Sequence, residues 1–334
     1  MIKEDKSLEK NYSKDDFSLV SILMAVYKPN EKWLIEQLTS LNEQTYENIE
    51  LLVYDDCPNE PVDEKIFEKY ITKFLYKIIR GAENKGSNIA FEELTKIANG
   101  EFLAYCDQDD IWEKEKISII MNAFGEEDTT LVCSDLSIIN ENGEKTADSI
   151  TEIRKRIKYK SGYNLADELL ERNFVTGCAM IVRSDIAKEA IPFVDSLVHD
   201  NWIAIIAALN GKIEVIDKPL VRYRQHSSNQ TGILKGIYDK NTYYKFKIEE
   251  VLDRYISLKD RLGYVEKLQG HINYCITSLN ARKSYFFKPS LKQLRIIIKY
   301  SKYYKESIFL EIFLPIVPAF VFRYIIQLTK RGIL

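Results

Sequence analysis

The sequence predicts an α/β fold in which a mostly parallel central sheet is flanked by helices and followed by a helical C-terminal extension. Three observations lead to this prediction. Apolar runs of strand length alternate with segments of helical spacing through the first part of the chain. Polar residues, several of them aspartates, directly follow the ends of these runs. Residues 242–334 have the pattern of helices alone.

The alternation can be followed from one element to the next. LVSILMAV (19–26) is an apolar run of strand length, and 31–43 has helical spacing. Strands that alternate with helices of about 10–15 residues are typical of βαβ units with parallel strands. A helix is predicted from about residue 112, and a polar loop to about 160. The other predicted strands cover 49–54, 74–79, 101–106, 130–134 and 179–183, and the other helices cover 62–72, 88–98, 164–171 and 199–209.

Charge divides the chain into parts. A polar N-terminal segment, 1–17, precedes a catalytic-type α/β domain predicted over 18–234, and 235–334 forms a basic helical region. That region has 19 Lys and Arg against 8 Asp and Glu, whereas the whole chain has a net charge of −3. The N-terminus has no signal-peptide pattern, and the five cysteines are widely spaced without a C-x-x-C motif. A cytoplasmic protein is expected.

The C-terminal region contains an apolar segment, IFLPIVPAFVF (312–322). It is too short to span a bilayer. Positive charge precedes this segment, and a basic run before an apolar segment favours peripheral association with the inner face of the cell membrane. The alternative is a C-terminal helix that packs on the protein core. The basic run consists of Lys292, Arg295, Lys299, Lys302 and Lys305.

A cluster of carboxylates stands at the end of the strand predicted over 101–106. FLAYCDQDDIW places Asp107, Asp109 and Asp110 within four residues. Like charges this close disfavour one another unless positive charge lies among them. Oxygen ligands alone suit a hard divalent cation, Mg²⁺ or Mn²⁺, which commonly bridges to phosphates. An aspartate can instead cap a helix, and Asp110 is the candidate for that role.

Two common phosphate-binding motifs are absent. YKPNEKW follows the first strand where a dinucleotide-binding protein would have G-x-G-x-x-G, and the chain has no P-loop motif. The end of the second strand has a second acidic pair, Asp55-Asp56. This pair could accept hydrogen bonds from a base or from ribose, or could belong to a turn. Nothing in the sequence resembles an aromatic and basic nucleic-acid motif, so no nucleic-acid partner is expected.

Three further segments suggest a site only in combination. FVTGCAM (174–180) places Gly177 between a loop and a strand, where it permits a close backbone approach or a turn. His199, Asp200 and Trp202 open a helix, so Asp200 is either a cap or a general base. YRQHSSNQTG (223–232) could close over phosphate or metal, with Arg222 and Arg224 facing a diphosphate, or could be a solvated loop.

Residues 18–232 resemble the inverting glycosyltransferases of family 2, which have the GT-A fold. The segments that resemble the family occur in this order: VSILMAVYKPN, LNEQTYENIELLVYDD, RGAENKGSNIA, GEFLAYCDQDDIW, TGCAM and HDNW. DQDDIW, HDNW and YRQHSSNQTG together look most like the rhamnosyltransferase-type members, which make bacterial surface polysaccharides.

The resemblance implies roles for individual residues. Asp109 would be the main metal ligand of the family's D-x-D motif, with His226 reaching the metal or the diphosphate, and Asp200 would be the catalytic base. Gly177, His199 and Trp202 would line the pocket for the donor sugar and the acceptor. The nucleotide would be bound by Tyr27, Asp56, Asn84, Gly86 and Asp107.

The chain departs from the family pattern at three places. Cys57-Pro58 follows Asp56 where the family usually has Gly-Ser, and His199 stands where many members have Glu. The Q-x-x-R-W motif of processive synthases is absent. The first departure concerns the geometry of the loop after the second strand, and the second concerns the acceptor contact at position 199. The third argues against a processive polymer synthase.

The resemblance implies a metal-dependent transfer of a sugar, L-rhamnose from TDP-rhamnose, to a saccharide acceptor that is lipid-linked. A UDP-hexose is the alternative donor. A nucleotidyltransferase would require a Gly-rich basic loop after the first strand, which YKPNEKW is not. A catalytically inactive saccharide-binding or scaffold subunit is the non-enzymatic alternative, against which the retained D-x-D motif and Asp200 argue.

Overall fold

The computed structural model describes residues 17–226, 236–303, 308 and 311–330. Residues 17–193 and 199–225 form a first compact unit, and the described residues of 194–198 and 226–334 form a second. The predicted N-terminal segment before Phe17, most of the loop within 223–232 and Lys305 lie outside the described residues.

The first unit is built on one nine-stranded sheet with the order β3-β2-β1-β4-β8-β6-β9-β5. β1, β2, β3 and β4 run parallel to one another, and β6 is parallel to β9, whereas β8 runs antiparallel to both β4 and β6. Short β5 and β7 pair antiparallel with β9 and β6. The strands are β1 (Val20–Val26), β2 (Ile49–Asp55), β3 (Leu75–Arg80), β4 (Phe102–Cys106), β5 (Ile111–Trp112), β6 (Thr129–Ile139), β7 (Lys145–Ala147), β8 (Met180–Arg183) and β9 (Lys212–Arg224).

Helices flank this sheet, and the predicted α/β class is confirmed. The apolar residues of β1, β2 and β4 share a buried core with the inner face of α1, where Leu34, Leu38 and Leu41 have no exposed surface. The helices of the first unit are α1 (Glu31–Asn42), α2 (Glu64–Tyr70), α3 (Ser87–Ile97), α4 (Lys116–Ala123), α5 (Ile150–Ile153), α6 (Ala166–Glu171), α7 (Ser184–Glu189) and α8 (His199–Asn210).

Two local predictions were wrong. The segment after Asp110 is strand β5, which pairs with β9, and α4 begins only at Lys116. The predicted loop to residue 160 is shortened because β6 continues through Ser134 and Asp135, both buried, to Ile139. Asp135 is tolerated there because its carboxylate accepts hydrogen bonds from the Leu136 N–H and the Tyr159 hydroxyl.

The second unit is helical, as predicted for the C-terminal region. Its helices are α9 (Lys240–Tyr244), α10 (Glu250–Leu262), α11 (Glu266–Phe287), α12 (Leu291–Lys299) and α13 (Ala319–Lys330), and a π-helical turn covers Lys245–Glu249. None of the helices in the described ranges combines the length and the hydropathy that a bilayer-spanning segment needs.

A buried charge pair holds this unit together. Arg282 donates two hydrogen bonds to the Glu311 carboxylate, and both side chains are almost fully buried. The Tyr243 hydroxyl donates a further hydrogen bond of 3.0 Å to Glu311. A buried charge without its partner destabilises a fold more than the absence of both charges does.

We therefore expect Glu311→Gln to lower the free energy of unfolding of the second unit by roughly 3–5 kcal/mol, because it leaves the Arg282 charge buried without a countercharge. Urea unfolding followed by circular dichroism measures this change. The double variant Arg282→Met/Glu311→Leu should recover part of the loss. A double variant no more stable than Glu311→Gln would contradict this view of the pair.

Candidate active site

The parallel strands bring the predicted site residues to one edge of the sheet. β1 lies between β2 and β4, with Val26 opposite Asp55 and Met24 opposite Cys106. The residues that follow these three strands are therefore neighbours, although they are far apart in the sequence. Ligands bind at this carboxyl edge in open α/β sheets.

Two carboxyl groups of the loop after β4 lie close to a thiol of the turn that precedes β8. Ligand atoms of Asp107, Asp110 and Cys178 all lie within 4.8 Å of one another. Burial, followed by the charges of Asp109 and Asp200, raises the pKa of Asp107 to about 7. Burial, followed by the charges of Asp109 and Asp107, raises the pKa of Asp110 well above its ordinary value. The crowded carboxylates are thus costly to ionise without added positive charge.

Asp110 does not cap a helix, so that alternative was wrong. Its Oδ1 accepts the backbone N–H of Arg224 at 2.9 Å, which ties the loop to the end of β9. Its buried Oδ2 has no hydrogen-bond partner within the described part of the chain. The Asp110 side chain therefore makes a tertiary hydrogen bond and does not form a local helix cap.

These donor atoms fit a hard divalent cation. The two carboxyl groups offer oxygen ligands, and one oxygen of Asp110 is buried without a hydrogen-bond partner in the described residues. Burial raises the pKa of the Cys178 thiol well above its ordinary value, so this soft ligand stays protonated. Asp109 is half-buried and does not belong to the three-residue group; its role as a metal ligand stays a prediction.

Lys116 was not predicted from the sequence to lie near the site. It is fully buried beneath the cluster, where its Nζ donates to the Cys178 carbonyl at 2.7 Å and lies over the Trp112 ring. Burial lowers the pKa of Lys116 to about 7. This lysine is therefore a poor permanent countercharge for the carboxylates. No local sequence pattern indicated this position, because β5, which precedes α4, forms by pairing with the distant β9.

Arg222 and Arg224 do not have the predicted arrangement. Arg222 pairs with Glu113 at 2.7 Å. Arg224 has no exposed surface, and its guanidinium donates to the Asp109 carbonyl and to Glu36 of α1. It holds the carboxylate loop in place, and its guanidinium donates hydrogen bonds to protein acceptors instead of facing a diphosphate.

Asp56 and the segment 84–86 lie together, as the prediction requires. Asp56 accepts the backbone N–H groups of Lys85 and Gly86 at 2.9 and 2.7 Å. Gly86 has φ +83°, which favours glycine, and it directly precedes α3. Tyr27 is 46% exposed, so its ring is accessible to a ligand.

Asp55 has a structural role that explains how Cys57-Pro58 is accommodated. Its carboxylate accepts the N–H groups of Cys57 and Val62 and pairs with Arg80 at 2.8 Å. These contacts fix the loop after β2. Asp56 therefore keeps its place although Gly-Ser is missing.

Asp200 lies in the first turn of α8, and its carboxylate is held from the side of Gly177. Oδ2 accepts the Gly177 N–H at 3.0 Å, and Oδ1 accepts the Asn173 side-chain amide at 3.2 Å. Burial raises the pKa of Asp200 to about 6, and its charge acts on Asp107 across the site. A raised pKa suits a proton acceptor near neutral pH. The contact from Asn173 could not be predicted from local sequence patterns.

His199 and Trp202 are interior residues. Burial lowers the pKa of His199 to about 3, so its ring is neutral, and it packs on Phe91 with 4.1 Å between ring centroids. A Cβ at Gly177 would lie 2.8 Å from His199 Nε2, so glycine is needed there. Trp202 is 1% exposed and donates to the Ala190 carbonyl. A pocket role for either residue stays untested.

The site consists of residues of the first unit. Asn84 lies in the loop before α3, within the segment that Asp56 holds. His226 belongs to the second unit, and its part in binding metal or diphosphate stays a prediction.

The chain is similar to several curated glycosyltransferases. The chain is 28% identical over 240 residues to an uncharacterized glycosyltransferase of Methanocaldococcus jannaschii, and this alignment covers 70% of this chain and 79% of the relative. It is 28% identical to the Escherichia coli UDP-Glc:alpha-D-GlcNAc-diphosphoundecaprenol beta-1,3-glucosyltransferase WfgD, over 67% of this chain and 85% of WfgD. It is 24% identical to the dTDP-rhamnosyl transferase RfbG of Shigella flexneri, over 73% of this chain and 90% of RfbG.

Among solved structures, residues 1–349 of S. aureus TarS in complex with UDP-GlcNAc have the same fold, with a TM-score of 0.55 and 18% identity over 94% of this chain and 92% of that chain. This likeness supports the GT-A fold. The model of the family described as "Glycosyl transferase family 2" matches residues 21–189. The chain therefore belongs to glycosyl transferase family 2 and is a glycosyltransferase.

Proposed function

We propose that this glycosyltransferase moves a sugar from a nucleoside-diphosphate donor to a saccharide acceptor with inversion, and that Asp200 is the base. The observation that supports this best is the Asp200 carboxylate. It is held by Gly177 and Asn173, has a raised pKa, and interacts electrostatically with Asp107 at the carboxylate edge. The proposed base would therefore lie near the carboxylates proposed to bind the diphosphate.

The reaction follows from this arrangement. The acceptor hydroxyl gives its proton to Asp200 while its oxygen forms a bond to the anomeric carbon of the donor sugar. The bond from that carbon to the diphosphate oxygen breaks on the opposite face, and the electron pair leaves with the nucleoside diphosphate. Attack and departure on opposite faces invert the configuration.

Mn²⁺ or Mg²⁺ would be held by Asp109 together with Asp107, and a ligand atom of Asp110 lies within 4.8 Å of one from Asp107. A cation held there would offset the charge that develops on the leaving diphosphate. On the nucleoside side, Tyr27 would stack on the base, Asp56 would bind its pyrimidine edge, and Asn84 and Gly86 would lie beside it. His226 would approach the diphosphate.

TDP-rhamnose is the proposed donor, and a UDP-hexose is the alternative. The sequence segments that resemble rhamnosyltransferases support the first, as does the likeness to RfbG, whose name gives dTDP-rhamnosyl transfer. The likeness to WfgD, whose name gives UDP-Glc, supports the second. The pathway would be the synthesis of a bacterial surface polysaccharide.

A lipid-linked acceptor is proposed together with peripheral membrane binding. WfgD, by its name, acts on a saccharide linked to diphosphoundecaprenol. In this chain, α13 exposes Phe320 (72%) and Tyr324 (61%), one turn apart on the same face, while its buried face packs through Phe322 and Ile326. Exposed aromatics in a region with excess Lys and Arg suit an anionic bilayer surface.

A donor screen tests the catalytic proposal. With Mn²⁺, the protein should hydrolyse or transfer one sugar among TDP-rhamnose, UDP-glucose, UDP-galactose and UDP-N-acetylhexosamines. We expect Asp200→Asn to lower that rate by about 10²–10⁴-fold because the proton acceptor is lost. Nucleotide affinity, measured by calorimetry, should change little.

The matched control for this screen is Asp217→Asn, an exposed carboxylate on β9 that should leave the rate unchanged. Full activity of Asp200→Asn would refute its role as the base. If no donor turned over and no nucleotide bound, the proposed transfer reaction would fail, and the alternative of a catalytically inactive saccharide-binding or scaffold subunit would be favoured.

Flotation with vesicles tests the membrane proposal. The protein should bind vesicles that contain phosphatidylglycerol more than vesicles of phosphatidylcholine alone, and added salt should weaken binding. Phe320→Ser/Tyr324→Ser should reduce binding because aromatic surface is lost. Leu75→Ser, which changes an 84% exposed residue of the first unit, should bind as the wild type does. Equal binding by the wild type and the α13 variant would argue against this surface.

A further inference from the structure

The side chain of Gln108 forms a closed pair of hydrogen bonds with the backbone of Tyr27. Its Oε1 accepts the Tyr27 N–H at 2.8 Å, and its Nε2 donates to the Tyr27 carbonyl at 3.1 Å. The parallel pairing of β1 with β4 ends at Met24 opposite Cys106. The carboxamide of Gln108 thus continues the connection between the two chain segments beyond the point where their backbones stop pairing.

The backbone that Gln108 holds is strained. Lys28, the next residue after Tyr27, has φ +42°, a left-handed conformation that is uncommon outside glycine. Such a conformation persists only where its surroundings enforce it. On the far side, Lys28 pairs with Glu60 at 3.1 Å, but both side chains are exposed, and exposed pairs contribute little. The two hydrogen bonds with Gln108 therefore restrain this turn, next to the hydrogen bond that the Asp56 N–H donates to the Val26 carbonyl.

The position of Gln108 in the sequence gives these hydrogen bonds a consequence for binding. Asp107 and Asp109, its two neighbours, are the carboxylates assigned to the diphosphate side, and Tyr27 is assigned to the nucleobase. An amide can donate and accept at once, whereas a carboxylate could not donate to the Tyr27 carbonyl and would add negative charge to a crowded cluster.

We propose that Gln108 is a positioning residue that holds Tyr27 in a fixed register with the D-x-D carboxylates, so that the base and the diphosphate are bound by one preorganised edge. This inference rests on the proposed function, because it requires a nucleoside diphosphate at this edge. Preorganisation raises affinity by reducing the ordering that binding must otherwise bring about.

Calorimetry on Gln108→Met tests the inference, because methionine has a similar length but forms neither hydrogen bond. The probes are UDP, TDP and pyrophosphate, each with Mg²⁺. We expect the Kd for the better nucleotide to rise about tenfold, of the order that two hydrogen bonds contribute. The Kd for pyrophosphate should stay within about twofold, since pyrophosphate has no base to contact Tyr27. Gln327→Met, at an exposed position of α13, is the matched control and should behave as the wild type.

The outcomes separate the inference from the proposed function. If the wild type binds a nucleotide and Gln108→Met binds it equally well, the inference is overturned and the proposed function stands. Equal weakening for nucleotide and pyrophosphate would indicate general damage to the loop and would also overturn a specific role. If the wild type binds neither UDP nor TDP, both the proposed function and the inference fail.

Discussion

Repulsion among carboxylates at the end of β4 is the constraint around which this structure is organised. Asp107 and Asp110 lie together with Cys178, and neighbouring negative charge and burial raise the pKa of both carboxyl groups. A protein gains no stability from such an arrangement. Its persistence makes sense if a cation and the phosphates that the cation binds complete the cluster.

The surrounding contacts hold the cluster in place without neutralising it. Arg224 reaches the loop through the Asp110 side chain and the Asp109 carbonyl, and its guanidinium charge is paired with Glu36. Lys116 lies below, but burial lowers its pKa to about 7. The loop is thus held in place by Arg224, but the negative charge of its carboxylates is left for a bound cation to offset. Preorganised charge of this kind is an effective source of catalytic stabilisation.

The fold and the location of the site could be predicted from the sequence because both depend on local patterns. Apolar runs gave β1, β2 and β4, and the polar residues that follow them meet at one edge because parallel strands end together. Elements set by distant partners were missed. Ile111–Trp112 forms a strand only because β9, about a hundred residues later, pairs with it. Asp135 is buried in β6 because Tyr159 reaches its carboxylate.

The same distinction separates the site residues. The segments DQDDIW and HDNW can be recognised from their residue types, so Asp109 and Asp200 could be predicted from the sequence as site residues. Asn173 and Gln108 contact the site through side chains that could serve many purposes, and only the tertiary structure shows which atoms they meet.

The most direct test of this account is crystallography of the protein grown with Mn²⁺ and UDP or TDP, with anomalous data collected at the manganese edge. We expect one anomalous peak between the diphosphate and the carboxylates, within coordination distance of Asp109 and beside Asp107. A nucleotide bound elsewhere, or bound here without any metal peak at the carboxylates, would contradict it.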